Sequence, residues 1–203
     1  MSRLVAAGRH YHHGQLREAL LDAAAQLLEQ QGTQFSLREV ARQAGVSHAA
    51  PYHHFEDKHQ LLEALAERCM KAFSQAQTAA AQASTPRARL IGLGTAYIEY
   101  AAAHPNAFQL IFNPELCRPG QTSVLTPYIQ ADHALLAEVL AQAIQAGDLP
   151  GHAPEALGTA LWGTVHGLAH LVLLGQVNLN DVPTVLDSLF KPVSASSMTT
   201  QNL

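Results

Sequence analysis

The chain has 203 residues, of which 48% are hydrophobic and 14% are charged. This composition supplies enough apolar surface for a globular core and argues against disorder over most of the chain. Aromatic residues make up only 6% and alanine is abundant, which favours packed helices over a β-sandwich. The formal charge of −4 at pH 7 excludes a histone-like polycation, but it leaves room for a local nucleic-acid surface.

The cysteines and the N-terminus indicate a reducing compartment. Cys69 and Cys117 are too few for a disulfide framework and lack the spacing of a metal site. Residues 1–16 contain no apolar run of the kind found in signal peptides, so we expect a cytoplasmic protein. Residues 1–17 contain Arg3, Arg9 and Arg17 but no acidic residue, which makes this arm the part best suited to a polyanion.

The spacing of apolar residues, together with glycine and capping residues at the helix ends, predicts four helices in the first 83 residues. Apolar residues spaced by three and four predict a helix over 14–31, which Gly32 ends. Ser36 and Glu39 have the spacing of a capping box at the start of a short helix over 37–44. Gly45 ends that helix, and another short helix follows at about 48–54. Asp57 is the expected N-cap of a long helix that runs to about residue 83.

Prolines mark the starts of later helices, because a proline in the first turn removes no helical hydrogen bond. The predicted helices lie at about 86–103, 105–112, 127–146, 154–175 and 182–190. A Ser/Thr-rich tail over 192–203 is expected to be disordered. No segment alternates in the way of a strand, so the predicted fold class is all-α. We predict a DNA-binding domain over 1–57 with a flexible basic arm at 1–13, and a helical domain over 58–191.

The helix between residues 156 and 174 is apolar nearly all round and as long as a membrane span. It carries His166 and His170, however, and has neither a basic flank nor an aromatic belt. A helix that is apolar on every side can instead be buried between its own domain and a partner chain. We favour this second interpretation.

Residues 37–54 combine a helix, a tight glycine-containing turn and a second helix, which is the arrangement of a helix-turn-helix motif. An ordinary corner between two helices is the alternative. Two features favour DNA binding: the second helix exposes small and polar side chains, and the arm before the first helix is basic.

The same residues resemble a known family. Residues 36–58 read Ser-Leu-Arg-Glu-Val-Ala-Arg-Gln-Ala-Gly-Val-Ser-His-Ala-Ala-Pro-Tyr-His-His-Phe-Glu-Asp-Lys, which resembles the DNA-binding signature of tetracycline-repressor-like (TetR) regulators. Ala49 stands where the family usually has Gly, and Pro51 where Leu or Ile is usual. Trp162-Gly163 with His166-Gly167-Leu168 resembles the WHG subclass of the family's ligand domains, as does the run from His104-Pro105 to Phe112.

The resemblance and the chemistry of the side chains together give a set of candidate DNA contacts. Ser47 can cap the recognition helix or donate to a phosphate, and Ala49 and Ala50 are short enough to meet a thymine methyl group. Tyr52 either contacts phosphate or packs against the first helix, whereas Val46 and Phe55 are expected in the core. The predicted DNA-binding residues are Ser36, Ser47, His48, Ala49, Ala50, Tyr52, His53, His54 and Lys58.

The resemblance also implies a ligand, a partner and a mechanism. It implies a repressor that is released from its operator when a small, mostly apolar effector binds between about residues 86 and 175. The candidate lining residues, which could instead simply fill the core, are Phe108, Leu110, Phe112, Tyr128, Trp162 and His166. It further implies a homodimer that joins through helices 154–175 and 182–190 and binds a palindrome-like operator in double-stranded DNA.

Signatures of enzymes are missing from the sequence, so we expect neither catalysis nor a cofactor. His166 and His170 have the i, i+4 spacing of a zinc-protease helix but lack its glutamate; we expect both in the core and predict no metal site. The alternative function is an α-helical small-molecule or metal sensor without DNA binding. His10, His12 and His13 in the arm, with the histidines of the recognition helix, predict that DNA affinity rises as pH falls.

Overall fold

The computed structural model describes residues 13–116, 123–149 and 153–190. Within these ranges every regular element is helical, which confirms the all-α prediction. The α-helices are α1 (His13–Gln31), α2 (Leu37–Gln43), α3 (Lys58–Ala80), α4 (Pro86–Ala103), α5 (Pro105–Ile111), α6 (Thr126–Gln145), α7 (Pro154–Leu173) and α8 (Val182–Ser188). Predictions about the arm at residues 1–12, about Cys117 and about the tail at 192–203 lie outside the described residues.

The short helix predicted at about 48–54 is present, but it is a 3₁₀ helix over Ala50–His53 rather than an α-helix. Pro51 explains the difference, because it has no N–H for an α-helical bond and disfavours the α conformation of the residue before it. The carbonyl of Ser47 is taken by the amide of Ala50 at 3.0 Å, and the bonds of the segment are mostly of the i to i+3 type.

The turn before this segment is closed by Gly45, whose φ is +69°. The amide of Val46 donates to the carbonyl of Ala41 at 3.0 Å, and the amide of Gly45 donates to the carbonyl of Arg42 at 3.1 Å. These two bonds form a Schellman motif, which satisfies the last carbonyls of α2 and needs a left-handed residue at this position. The motif fixes the direction in which the chain leaves α2.

The chain divides into two compact units, Met1–Ser74 with Ala103–Ala131 and Gln75–Ala102 with Asp132–Leu203. In the first unit α1 packs against α2 and α5. Asn106 at the start of α5 donates through Nδ2 to the carbonyl of Glu29 near the end of α1, at 3.1 Å. The largest fully buried side chains of this unit include Leu20, Leu28, Leu61 and Phe108, so α5 shares the core of the helices that carry the helix-turn-helix.

The second unit has its own core, in which α4, α6 and the region after α8 meet. The buried cluster consists of Ala81, Leu90, Leu93, Val139, Leu140, Ala143, Leu149 and Phe190. An ion pair between Arg87 Nη2 and Asp187 Oδ1, 2.6 Å long, joins α4 to α8. The guanidinium of Arg87 also lies over the ring of Phe190, 5.6 Å from its centroid.

Helix α7 is unusual in this unit because only one of its residues, Ala169, is buried. Among the helices of the described ranges it is the one that is long and apolar enough to cross a membrane. That test rests on length and composition only. An apolar helix covered by a second protein chain would pass it equally well.

Gly92 gives a test of the packing between α3 and α4. A Cβ at this position would lie 2.7 Å from the carbonyl oxygen of Ala80, and backbone cannot yield as a flexible side chain does. We expect Gly92→Ala to lower the free energy of unfolding by about 1–3 kcal/mol, measured by thermal or chemical denaturation.

Gly158→Ala is the matched control, because its Cβ would make an ordinary 3.9 Å contact with Leu140. This change should stabilise α7 by up to about 1 kcal/mol, since alanine is the better helix former. Equal stability of Gly92→Ala and the unsubstituted protein would contradict the close approach of the two helices.

Candidate nucleic-acid interface

Ser36 fixes the start of α2 through a complete capping box. Its Oγ accepts a hydrogen bond from the Glu39 amide at 3.3 Å. The backbone N–H and the hydroxyl of Ser36 both donate to Glu39 Oε2, each at 2.8 Å. The side-chain hydrogen bond from Ser36 is the largest cause that lowers the pKa of Glu39 below its ordinary value. The predicted capping box is therefore present, and the Ser36 hydroxyl already has a partner within the protein.

Residues 47–54, which we call the recognition segment, expose a row of small and polar side chains. Ser47, His48, Ala49 and His53 are exposed, and Ala50 is half-buried. Tyr52 is 53% exposed, so most of its ring is open to solvent and the alternative of packing against the first helix is not favoured. The segment presents hydroxyl, imidazole, phenol and methyl groups in one continuous strip.

Two buried residues hold the recognition segment in place. Pro51 is buried and Phe55 is only 3% exposed, which confirms the prediction that Phe55 belongs to the core; Val46 is half-buried. The Pro51 carbonyl accepts from the amides of His54 and Phe55, both at 2.9 Å. The guanidinium of Arg17 lies 5.5 Å from the centre of the Phe55 ring. These contacts join the segment to α1.

The structure gives His54 and Lys58 contacts inside the protein. The Nε2 atom of His54 is buried. The ammonium of Lys58 donates to the carbonyl of Thr33 at 2.6 Å and lies over the ring of Phe35, 5.6 Å from its centroid. An ammonium has three N–H donors, so Lys58 can hold Thr33 and still reach a phosphate. Its role as a DNA contact stays a prediction, and so does that of His54.

The candidate effector residues fall into both units. In the first unit Phe108 and Leu110 are buried, the rings of Phe108 and Phe112 are 4.9 Å apart, and the Tyr128 hydroxyl donates to Glu67 at 3.4 Å. In the second unit Trp162 lies largely at the surface. Phe108 and Leu110 are therefore core residues of the first unit, and the role of the whole set as an effector pocket stays a prediction.

His166 and His170 correct an expectation. Both were expected in the core, but His170 is exposed and His166 is only half-buried, because α7 is covered on one side only. The rings of His166 and His170 are 4.9 Å apart. Desolvation and the neighbouring His170 lower the pKa of His166. In the described ranges no group of three or more potential metal ligands occurs.

Tyr97 is a residue of the second unit that sequence reasoning missed. Its hydroxyl lies 2.8 Å from Nδ1 of His166, and burial raises its pKa far above the ordinary value. A tyrosine in the apolar stripe of a helix is usually interpreted as a core residue. The pair could have been identified only from knowing that His166 lies opposite Tyr97.

An exposed strip that follows a capped helix and a Schellman turn is the arrangement of a helix-turn-helix motif, which characterises one class of DNA-binding proteins. Comparisons with known proteins agree. The sequence model for bacterial regulatory proteins of the tetR family matches residues 20–65. The model for the tetracyclin repressor-like C-terminal domain matches residues 90–193. The chain therefore belongs to the TetR family and is a DNA-binding transcriptional regulator.

Two curated relatives support this assignment. The nucleoid occlusion factor SlmA of Marinomonas sp. (strain MWYL1) is 30% identical over 146 residues, 71% of this chain and 73% of that protein. The HTH-type transcriptional regulator BetI of Rhizobium meliloti (strain 1021) is 42% identical over 79 residues. That second alignment spans 38% of this chain and 39% of BetI.

Solved structures share the fold over nearly the whole chain. A protein of unknown function from Rhodococcus sp. RHA1 has a TM-score of 0.78 and 34% identity, with 90% of this chain and 96% of that chain covered. FadR from Bacillus subtilis in complex with stearoyl-CoA has a TM-score of 0.66 and 20% identity, with 85% and 96% covered. The second similarity shows the fold alone. The WHG subclass stays a prediction.

The capping box gives a prediction for Ser36→Ala. The variant should unfold about 3 °C lower than the unsubstituted protein in a thermal melt at neutral pH, whereas Ser36→Thr, which keeps the cap, should unfold nearly unchanged. The folded-state pKa of Glu39 is lowered from 4.5, so the carboxylate's share of the cap is present above that pH. The difference in unfolding temperature between Ser36→Ala and the unsubstituted protein should therefore become smaller as the pH is lowered below 4.5. An equal gap at every pH would show that the Glu39 carboxylate does not take part.

Proposed function

We propose that this regulator is a cytoplasmic repressor that binds a palindrome-like operator as a homodimer and leaves it when a small, mostly apolar effector binds. The observation that carries the proposal is the exposed recognition segment, held by buried Pro51 and Phe55. A short segment of this kind covers too few base pairs for gene-level specificity, so two copies related by a two-fold axis are required.

The side chains of the recognition segment suggest which residues contact bases and which contact phosphates. Ala49 and Ala50 let the backbone approach the bases and can meet a thymine methyl group. His48 and His53 can meet base edges or phosphates, and the Tyr52 and Ser47 hydroxyls are suited to phosphate oxygens. The capped start of α2 at Ser36 brings the first helix of the motif to the DNA backbone. Phosphate contacts of this kind set the position, and the base contacts set the sequence.

The dimer is proposed to form through α7 and α8. Of the α7 residues only Ala169 is buried, and the exposed large apolar side chains include Trp162, Leu171, Leu174 and Leu189. Contiguous apolar surface of this kind commonly marks a site of protein–protein interaction, so we expect a partner to bury it. A second copy of the same face, related by a two-fold axis, gives a four-helix interface.

The effector is proposed to bind in the C-terminal part of the chain, where the family match covers residues 90–193. The proposed division places DNA binding in residues 1–57, and effector binding and dimerisation in residues 58–191. The candidate lining is mainly aromatic, which suits an apolar ligand. FadR from Bacillus subtilis, which has the same fold, was solved in complex with stearoyl-CoA, so compounds with an acyl chain are reasonable candidates for a ligand screen. Release requires that the ligand favour a spacing of the two recognition segments that does not fit the operator.

Leu174 is 70% exposed and gives a direct test of the dimer. In sedimentation experiments at micromolar concentration we expect the unsubstituted protein to be a dimer and Leu174→Glu to be a monomer, because a buried unpaired carboxylate destabilises an apolar interface. Val124→Glu is the matched control, since Val124 is an exposed apolar residue of the other unit, and it should remain dimeric. A monomeric parent protein would contradict the proposal.

The histidines of the recognition segment predict a pH-dependent affinity. A phosphate near an imidazole favours its protonated form, so binding takes up protons and affinity must rise as pH falls from 8 to 6. We expect roughly a threefold to tenfold gain per pH unit near the middle of this range. The double variant His48→Gln with His53→Gln should flatten the profile.

His133→Gln should leave this profile unchanged, because His133 is an exposed residue of α6, far along the chain from the recognition segment. The comparison uses operator affinity at fixed salt. Equal slopes for the parent and the double variant would mean that these two histidines do not contact DNA phosphates.

A mobility-shift titration separates the proposed regulator from a sensor that does not bind DNA. A duplex-binding dimer with several phosphate contacts should lose about a thousandfold in affinity between 50 and 200 mM salt. A protein that shifts no duplex at low salt would be the sensor, and a salt-independent shift would argue against phosphate contacts.

A further inference from the structure

His166 and His170 form a pair of imidazoles on one face of α7. They are four residues apart, so their side chains are neighbours on the helix surface, and their ring centres are 4.9 Å apart. His170 is exposed and His166 is half-buried. Burial in the core was one reason to expect no metal here, and the position of the pair removes that reason.

The separation of the two rings suits ligands that share one metal ion. An imidazole nitrogen binds Zn²⁺ at about 2.0–2.1 Å, and the ligands of Zn²⁺ are arranged tetrahedrally. Two imidazoles bound in this way have ring centres about 5 Å apart. The helix therefore already holds the rings of His166 and His170 at the separation that a shared ion requires.

Tyr97 of α4 is placed to orient His166. Its side chain is buried, its hydroxyl lies 2.8 Å from Nδ1 of His166, and it also has a hydrogen bond with the Trp162 side chain. An indole N–H can only donate, so the Tyr97 oxygen accepts from Trp162 and keeps a second lone pair for the Nδ1–H of His166. In that arrangement Nε2 of His166 carries the lone pair that binds a metal. Histidine ligands usually have such a partner on their other ring nitrogen.

The chemistry of the pair selects a class of ion. Imidazole nitrogens bind Zn²⁺, Ni²⁺ and Cu²⁺, whereas Ca²⁺ and Mg²⁺ prefer oxygen ligands. The spacing of four residues on a helix is also the one that places two histidines on the same zinc ion. Two ligands from the chain leave coordination positions for water.

We propose that His166 and His170 bind one divalent cation of the Zn²⁺, Ni²⁺ and Cu²⁺ class, with Tyr97 as the residue that positions His166. Water completes the coordination of the ion. This site goes beyond the proposed regulatory function. It does not depend on the proposed dimer either, because both ligands belong to one chain.

The chain contains its own reporter for this site. Trp162 is the only tryptophan of the sequence, and its ring centre lies 5.7 Å from that of His166. A Ni²⁺ ion bound to the pair should quench the fluorescence of this indole. We expect a saturable decrease when Ni²⁺ is added to the full chain at neutral pH. Excess Zn²⁺, which has a filled d shell, should displace Ni²⁺ and restore the fluorescence.

Substitutions of the two ligands test the assignment. His166→Gln and His170→Gln should each abolish the quenching at Ni²⁺ concentrations that saturate the unsubstituted protein, and circular dichroism shows whether each variant has folded. His170 is exposed, so we expect that His170→Gln folds normally. The triple variant His10→Gln, His12→Gln and His13→Gln removes the other histidine-rich segment and should leave the quenching unchanged.

A matched control keeps the number of histidines and changes only their spacing. His170→Gln combined with Leu171→His moves the second imidazole to a neighbouring face of α7, and this variant should quench as weakly as His170→Gln alone. Absence of saturable quenching in the unsubstituted protein would mean that the two rings only pack against each other. That result would overturn the site, as would equal quenching in the unsubstituted protein and the spacing variant.

The role of Tyr97 has its own test. Tyr97→Phe should weaken Ni²⁺ binding by about tenfold, because the partner of Nδ1 is lost. Tyr100→Phe is the matched control, since Tyr100 is another buried tyrosine of α4, and it should leave the Ni²⁺ affinity unchanged. Equal Ni²⁺ affinities for Tyr97→Phe and the unsubstituted protein would overturn the positioning role.

The proposed dimer and the metal site can be tested separately. Leu174→Glu, which we expect to be monomeric, should bind Ni²⁺ as tightly as the unsubstituted protein does. Loss of Ni²⁺ binding in this variant would overturn a site made by one chain. None of these measurements involves DNA, so their outcomes are independent of operator binding.

Discussion

The burial of Pro51 and Phe55 is the constraint on which the DNA-binding surface depends. A 3₁₀ segment of four residues, Ala50–His53, has too few hydrogen bonds to be stable alone. Its position comes from two side chains that face inward while their neighbours face solvent. The capping box at Ser36 and the Schellman turn at Gly45 fix the direction of α2, and Arg17 lies against the Phe55 ring from α1. If this anchoring fails, the exposed strip has no defined geometry to present to a groove.

The sequence predicted the ends of most helices because these ends have local causes. A glycine after a helix, a proline in a first turn and a Ser–Glu capping pair act within a few residues of the chain. The predicted and observed bounds of α1, α2, α4 and α5 accordingly agree within one or two residues. The short helix predicted at about 48–54 is present as a 3₁₀ helix over Ala50–His53, and its hydrogen bonds are mostly of the i to i+3 type.

Contacts between distant residues were much less predictable. No local rule places Lys58 on the carbonyl of Thr33, and His170 was expected in the core although α7 is covered on one side only. The Tyr97–His166 pair depends on which residues of α4 and α7 face each other.

The features of this chain that would be unfavourable in an isolated, self-contained fold are the ones to which we assign functions. A long apolar helix with one buried residue is unfavourable for an isolated chain, and the proposed dimer would cover it. The recognition segment likewise leaves polar groups for a partner. Because the rest of the chain follows the local rules of helix formation and packing, these departures point to functional sites.

Two copies of the recognition segment are proposed to contact one palindrome-like operator. Selection of bound duplexes from a random library, followed by sequencing, measures the sequence that the protein prefers. We expect enrichment of an inverted repeat whose half-sites lie about one helical turn apart, or a multiple of it. Enrichment of an unrepeated single site, or no enriched sequence at low salt, would contradict it.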